Sequence, residues 1–400
     1  MRPSALARCP GAPRCPGPLG SRMESYRDMR VLVTGATGFV GGRLVERLVL
    51  EEGARPRCLV RRWPRAVWLS RTAAELVPGD VLDAEAVRRA ADGCALVFHC
   101  ASGPAEDGGY LRTNVDGTRH VLEAARAAGA RRVVYVSSIA VHGAGGCGTL
   151  GERSPRPILG RDYSDSKVRA EELVERFGRE HGLSCAIVRP TYVWGPRSAL
   201  FTARPLRDMR QGRFAYVDGG AASCHAVYVE NLVDALLLAG LAPAADGGAF
   251  LVSDGAGITW KEFFDHYAAW LGLGHFPSLA SRAVHVRAMA SAFDMLNRRL
   301  ERWKGSPAPL HRRVARRLAR IVRDYLQRRA IPSRWDLEKY AARYELDLSA
   351  ARDRLGYAPR YGLEEAMAET RQWVVDQMGA ELGLAPAEGP GPEVPWVELA

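Results

Sequence analysis

Apolar positions fall in short continuous runs separated by longer stretches with helical spacing. The runs Val31-Leu-Val33, Cys58-Leu-Val60, Leu96-Val-Phe98, Val133-Val-Tyr-Val136 and Cys185-Ala-Ile-Val188 are each of strand length, and near-continuous apolar character marks strands buried on both faces. Between them the spacing predicts helices over 42–49, 84–91, 114–125 and about 161–181. Asp83 stands where an N-cap would begin the second. Strand and helix alternate up to Pro190, which predicts a parallel sheet covered on both sides. Beyond Gly195-Pro196 the alternation weakens. A smaller, mostly helical, substrate-binding lobe is expected there, with strands near 226–253 returning to the sheet.

The first strand runs into Gly35-Ala-Thr37-Gly38-Phe39-Val40-Gly41 and then into a helix. Glycines in this order allow a tight turn and let a pyrophosphate approach bare amides at a helix N-terminus. The fold class expected is therefore α/β, a Rossmann-type doubly wound parallel sheet binding NAD(P). The second strand ends in Arg61-Arg62. At that point such folds meet the adenosine ribose: a carboxylate grips free hydroxyls, whereas arginine accommodates a 2′-phosphate. NADP(H) is thus favoured over NAD(H). Asp80, at the end of the third strand and followed by Val81, can accept from an adenine amino group, and the small residues Cys100-Ala101-Ser102 after the fourth strand suit close passage of a cofactor.

Charge narrows the partners. The chain carries a net +11, and residues 281–330, with thirteen arginines and one lysine against Asp294, Glu301 and Asp324, hold all of that excess. Within 310–330, Val314, Leu318, Ile321, Val322 and Tyr325 form an apolar stripe flanked by arginines. Such a helix could lie on an anionic membrane and admit a lipophilic substrate, bind an acidic substrate, or pack its stripe on the second lobe with solvated arginines. No nucleic-acid-binding module is recognisable, and the eight scattered cysteines form no C-x-x-C pair that would suggest a metal site. No run reaches the roughly 18 to 20 apolar residues of a membrane span. A cytoplasmic protein, peripherally membrane-associated if 310–330 binds lipid, is expected. The organisation expected is a disordered leader over 1–28, with Met23 and Met29 as alternative starts, a cofactor domain over 29–200, the second lobe over 201–378 and a disordered tail over 379–400.

Tyr163-Ser-Asp-Ser-Lys167 puts a phenol and an ammonium on one helix face. An ammonium favours the phenolate, so the pair reads as a general acid/base. Together with the glycine turn, Asp80, His99-Cys-Ala-Ser102, Thr113-Asn114-Val-Asp-Gly-Thr118, Ser138-Ile-Ala-Val-His-Gly143 and Arg189-Pro190, it resembles the extended short-chain dehydrogenase/reductase family from about Met29 to about Met378. The resemblance implies that Ser138, rather than its neighbour Ser137, binds the substrate oxygen. It further implies that Tyr163 exchanges the proton, that Lys167 lowers the tyrosine pKa and holds the nicotinamide ribose, and that Asn114 orders a relay water. Pro190 joins Tyr163 and Lys167 as a cofactor contact. His99 and His225 read as structural histidines.

The segment Arg189-Pro-Thr-Tyr192-Val-Trp-Gly-Pro196 lacks the asparagine that the sugar-nucleotide branch of that family typically carries where Tyr192 stands. Residues 227–235, 250–264 and 346–359 resemble instead the 3β-hydroxysteroid dehydrogenase branch, with its sterol decarboxylating dehydrogenases and 2-alkyl-3-ketoalkanoate reductases. The resemblance implies interconversion of a ketone and a secondary alcohol on a small hydrophobic substrate, by a chain that could pair as a homodimer. The rivals are a sugar-nucleotide epimerase/dehydratase and a non-catalytic NADP-sensing protein.

Overall fold

The computed structural model describes residues 25–103, 109–143, 147–255, 257–282, 295 and 334–384. Its first half alternates β1 (Arg30–Thr34), α1 (Phe39–Leu50), β2 (Arg55–Val60), β3 (Glu75–Pro78), α2 (Ala84–Ala91), β4 (Leu96–His99), α3 (Gly109–Leu111), α4 (Gly117–Ala127) and β5 (Arg132–Val136). Then come β6 (Cys147–Leu150), α5 (Asp162–His181), β7 (Ser184–Pro190), β8 (Tyr192–Trp194) and α6 (Arg204–Arg210). The second half holds β9 (Tyr216–Val217), β10 (Ala226–Tyr228), α7 (Val229–Leu241), β11 (Ala249–Val252), α8 (Trp260–Trp270), β12 (Ser278–Leu279), α9 (Arg334–Ala341), β13 (Arg343–Leu346) and α10 (Leu363–Leu382).

Seven parallel strands form the central sheet in the order β11-β7-β5-β4-β1-β2-β3. Successive strands run outward from β1 on one side and from β4 on the other, so the chain reverses direction between them. In open α/β sheets the ligand crevice lies outside the strand ends at that switch point. Each face of the sheet is covered: one by α1 and α7 over Leu44, Leu48, Leu232 and Leu236, the other by α2, α4 and α5 over Val87, Val121 and Val174. Asp83 caps α2 as the sequence suggests, its Oδ1 accepting from the amides of Glu85 and Ala86 at 3.1 Å.

The second lobe is organised by rings. Trp194, Tyr228, Trp260, Phe263, Phe264 and Tyr267 are buried in one cluster, and α8 enters it through a Thr259/Glu262 capping box. Of the strands expected to return to the central sheet, only β11 does so; β10 pairs instead with β8, Val227 opposite Val193. The glycine-rich stretch 142–148 hides the start of β6, which pairs in parallel with β13. Order extends further than expected at both ends. Tyr26 is buried and donates to the Leu237 carbonyl at 2.6 Å, while α10 continues to Leu382, itself buried. The basic stretch 310–330 lies outside the described residues. Among those that are described, no helix is long and apolar enough to cross a membrane.

Candidate active site

The cofactor cleft begins at the glycine turn. Gly35 has φ +70°, and a Cβ there would lie 2.6 Å from the Ala101 amide nitrogen and 2.7 Å from the Cys100 carbonyl. A Cβ on Gly41 would lie 2.5 Å from the Gly35 carbonyl oxygen, so α1 can cross this close to the turn only without one. Gly38 is exposed and is the N-cap of α1, and no side chain caps the helix. The first-turn amides of Phe39, Val40 and Gly41 are therefore presented as a ready anion site. This uncapped cradle fits a pyrophosphate.

A cavity of about 170 Å³ opens in front of the turn, lined by Gly35, Thr37, Gly38, Arg61, Asp80, Val81, Cys100, Ala101 and Ser102, all nine of them expected from the sequence. Leu59, Arg65, Gly79, Gly103 and Thr113 complete the lining. Arg61 Nη1 donates to Asp80 Oδ2 at 3.2 Å, and Asp80 Oδ1 accepts from the Leu82 amide at 3.1 Å. Arg62 stands outside this lining, at the N-terminal flank of the turn Trp63–Arg65, which carries Arg65 back to the cleft. Arg65 was missed because it sits five residues past the strand, where only the turn decides its direction.

Tyr163, Lys167 and Glu171 follow one another at four-residue intervals along α5. Helix start is set by Asp165, which accepts from the amides of Leu159 and Arg161 at 2.8 and 2.9 Å. At the end of β5 the two adjacent serines diverge. Ser138 is partly exposed and its hydroxyl approaches that of Tyr163, whereas Ser137 is buried and faces the Glu171 carboxylate. Burial pushes the Tyr163 hydroxyl above its ordinary value, the Ser138 hydrogen bond opposes this, and the Tyr110 hydroxyl adds to it. The Tyr110 ring meets Tyr163 edge-on at 5.3 Å, a neighbour with no signal in the sequence.

Lys167 lies one turn beyond Tyr163 on α5 and is buried. Its Nζ donates to the Val136 carbonyl at 2.7 Å and lies 4.8 Å from the Tyr135 ring centroid. The ammonium is itself pushed down to about 8 by burial. Asn114 is buried in a single π-helical turn, Arg112–Asp116, a feature frequent at functional sites. Its Nδ2 donates to Ser166 Oγ at 2.9 Å, and its buried Oδ1 accepts from no protein group. His99 is satisfied on both sides, by Thr34 Oγ1 at 2.7 Å and Thr118 Oγ1 at 3.0 Å, and burial keeps it neutral. His225 Nε2 bonds the Tyr344 carbonyl at 2.7 Å. Pro190 is buried at the end of β7, in register with Val252.

The NAD dependent epimerase/dehydratase family model matches residues 31–252. A ketoreductase of Stigmatella aurantiaca, acting by its name on a farnesylated 3-oxo-dihydroquinoline-1-oxide, is 33% identical over 64% of this chain and 78% of its own length. The 3 beta-hydroxysteroid dehydrogenase/Delta 5-->4-isomerase of Mycobacterium tuberculosis is 30% identical over 86% of this chain and 90% of its own. Among solved structures, UDP-glucuronic acid 4-epimerase from Bacillus cereus in complex with NAD superposes with a TM-score of 0.64 over 87% of this chain and 97% of that one. At 15% identity that likeness speaks for the fold alone.

Proposed function

Because the chain belongs to the NAD dependent epimerase/dehydratase family and is an NAD-dependent enzyme of the oxidoreductase type, we propose that it interconverts a ketone and a secondary alcohol on a hydrophobic substrate of the steroid, sterol or 2-alkyl-3-ketoalkanoate kind. The observation that carries this reading is the approach of the Ser138 and Tyr163 hydroxyls at the end of β5, with the buried Lys167 one turn further along α5.

The nicotinamide cofactor, when bound, supplies hydride exchange with the carbinol carbon. Ser138 donates a hydrogen bond to the substrate oxygen, where negative charge develops during reduction. Tyr163 then delivers its proton to that oxygen, and burial, by holding the phenol protonated, suits it to this task. The resulting phenolate is stabilised by the charge of Lys167, which also grips the cofactor ribose. Asn114 Oδ1 holds a water through which the proton is replaced. In oxidation the same groups run in reverse.

The hydrophobic character of the substrate is supported by Tyr192, the residue standing where the sugar-nucleotide branch typically has asparagine. It is buried, with its ring 5.2 Å from Trp260 and 5.4 Å from Phe201, a setting without a free amide for a diphosphate. A screen of steroids, β-keto acids and UDP-sugars, read by the near-ultraviolet absorbance of the reduced nicotinamide, tests the reading. Net cofactor turnover with one of the first two groups is expected; isomerisation of a UDP-sugar without net turnover would replace it with the epimerase rival, and cofactor binding without any turnover with the sensor.

NADP(H) preference is part of the same proposal and rests on Arg61 and Arg65 lining the adenosine side of the cleft. Arg61→Ala combined with Arg65→Ala is expected to weaken NADP(H) by at least roughly tenfold, the scale of one lost charge-assisted contact to phosphate. NAD(H) should change far less. Equal losses in the two dissociation constants would show that neither arginine reads a 2′-phosphate.

A further inference from the structure

Lys167 is buried, and an ammonium out of water is costly unless an anion lies near. The groups that face it can be taken element by element. From β4 come His99, held neutral by burial, and Cys100, whose thiol burial pushes up to about 12. Tyr135 of β5 presents a ring whose hydroxyl is likewise pushed well up. On α5 itself stand Tyr163, also protonated at neutral pH, and Glu171. Among the described residues, Glu171 is therefore the one anion facing the ammonium, four residues along the same helix face.

Glu171 is fully buried, and its ionised form is secured by two arginines. Arg189 of β7 donates to both carboxylate oxygens, Nε to Oε1 at 2.9 Å and Nη2 to Oε2 at 2.8 Å, and Arg156 Nη1 adds a third bond at 2.6 Å. These bonds hold the carboxyl below its ordinary value despite burial. Arg189 also reaches the segment that follows Ser138: Nη1 donates to the Glu152 carbonyl at 2.8 Å and approaches His142 Nε2 at 3.4 Å. His142 Nδ1 in turn donates to the Pro155 carbonyl at 3.0 Å and burial keeps the ring neutral. One ion pair thus joins the helix of Tyr163 and Lys167, the turn of Ser138 and the end of β7.

We infer that Glu171, clamped by Arg189, is a positioning residue of the reaction: it keeps the Lys167 ammonium charged and fixes α5 against the turn that carries Ser138. The inference rests on the role proposed above for Lys167 at the cofactor. Losing the carboxylate removes the anion that raises the Lys167 pKa, so Lys167 deprotonates at lower pH.

The test is the pH dependence of cofactor affinity, measured by fluorescence titration of the full chain with NADPH or NADH, whichever binds more tightly. In the wild type, affinity is expected to fall as pH rises through the Lys167 titration near 8. Glu171→Gln should move that fall down by about one pH unit, the smaller end of the effect of an opposite charge at this range. Glu171→Asp, which keeps the charge, should return it toward the wild-type position. A purely structural role would weaken binding at all pH values and leave the midpoint where it was, and that result overturns the inference. Absence of any fall in the wild type would instead remove the role of Lys167 at the cofactor, and the inference with it. If Glu171→Gln does not fold, because Arg189 is left buried without its partner, Glu171→Gln with Arg189→Gln removes both charges, while Arg156 keeps its two bonds to Glu175 at 2.8 and 3.0 Å. The positive charge of Arg189 leaves with the carboxylate, so a smaller downward shift is expected of that variant, and an unmoved midpoint again overturns the inference.

Discussion

Tyr163→Phe should lose turnover by roughly 10²–10⁴-fold, the contribution expected of a positioned general acid/base, while cofactor affinity changes little. The reason lies in what the substitution removes. The ring keeps its edge contact with Tyr110 at 5.3 Å, and the hydroxyl makes no contact on which the helix depends, since Ser166 Oγ bonds the Tyr163 carbonyl rather than the side chain. Only the proton donor is lost. Ser138 would still bind the substrate oxygen, so KM should move far less than kcat. Near-wild-type turnover in steady-state assays would remove Tyr163 from the chemistry and leave the fold assignment untouched.

Lys167→Met is expected to separate stability from function. Burial lowers the ammonium from its usual 10.5 to about 8, a difference on the order of 3 kcal/mol against the charged form in the folded chain. The sign follows from proton counting: between about pH 8 and 10.5 the unfolded chain holds a proton that the folded chain has lost, so this group makes the protein more stable as pH rises through that window and carries its full cost below it. Methionine removes that cost at neutral pH but also the 2.7 Å bond to the Val136 carbonyl, which returns part of the gain. The Tm at pH 7 should therefore hold or rise, with the advantage over wild type shrinking toward pH 10, while turnover drops by roughly 10²-fold or more and cofactor affinity falls. A Tm loss of many degrees at pH 7 would show that the lysine is a structural strut and not a group retained against stability for its charge.

Much of the site is written in local patterns. Glycine spacing, the Asp83 cap and the four-residue step from Tyr163 to Lys167 each depend on neighbours within one turn or one strand, and the sequence is sufficient for them. The choice between Ser137 and Ser138 needed the resemblance, because two adjacent strand-end hydroxyls are distinguished only by which way each points. Pairings across long separations were illegible. Cys147–Leu150 finds its partner in Arg343–Leu346, and Gly148 with the glycines before the strand disguises it as loop; Ala226–Tyr228 has the apolar character of a sheet strand yet pairs with Tyr192–Trp194. The Glu171–Arg189 pair was missed for the same reason, although one signal was present. A glutamate four residues beyond Lys167, beside the apolar positions Leu173 and Val174 of a buried helix face, calls for a cation across the packing, and Arg189 supplies it.

Whether hydride passes to and from a carbinol carbon is measured most directly with a reduced cofactor deuterated at nicotinamide C4. With the ketone that supports turnover, the account predicts one deuterium at the new carbinol carbon of the alcohol product, with cofactor oxidised in equal amount. A product without deuterium from cofactor labelled on either face, or an isomerised sugar nucleotide formed with no net oxidation of the cofactor, would contradict it.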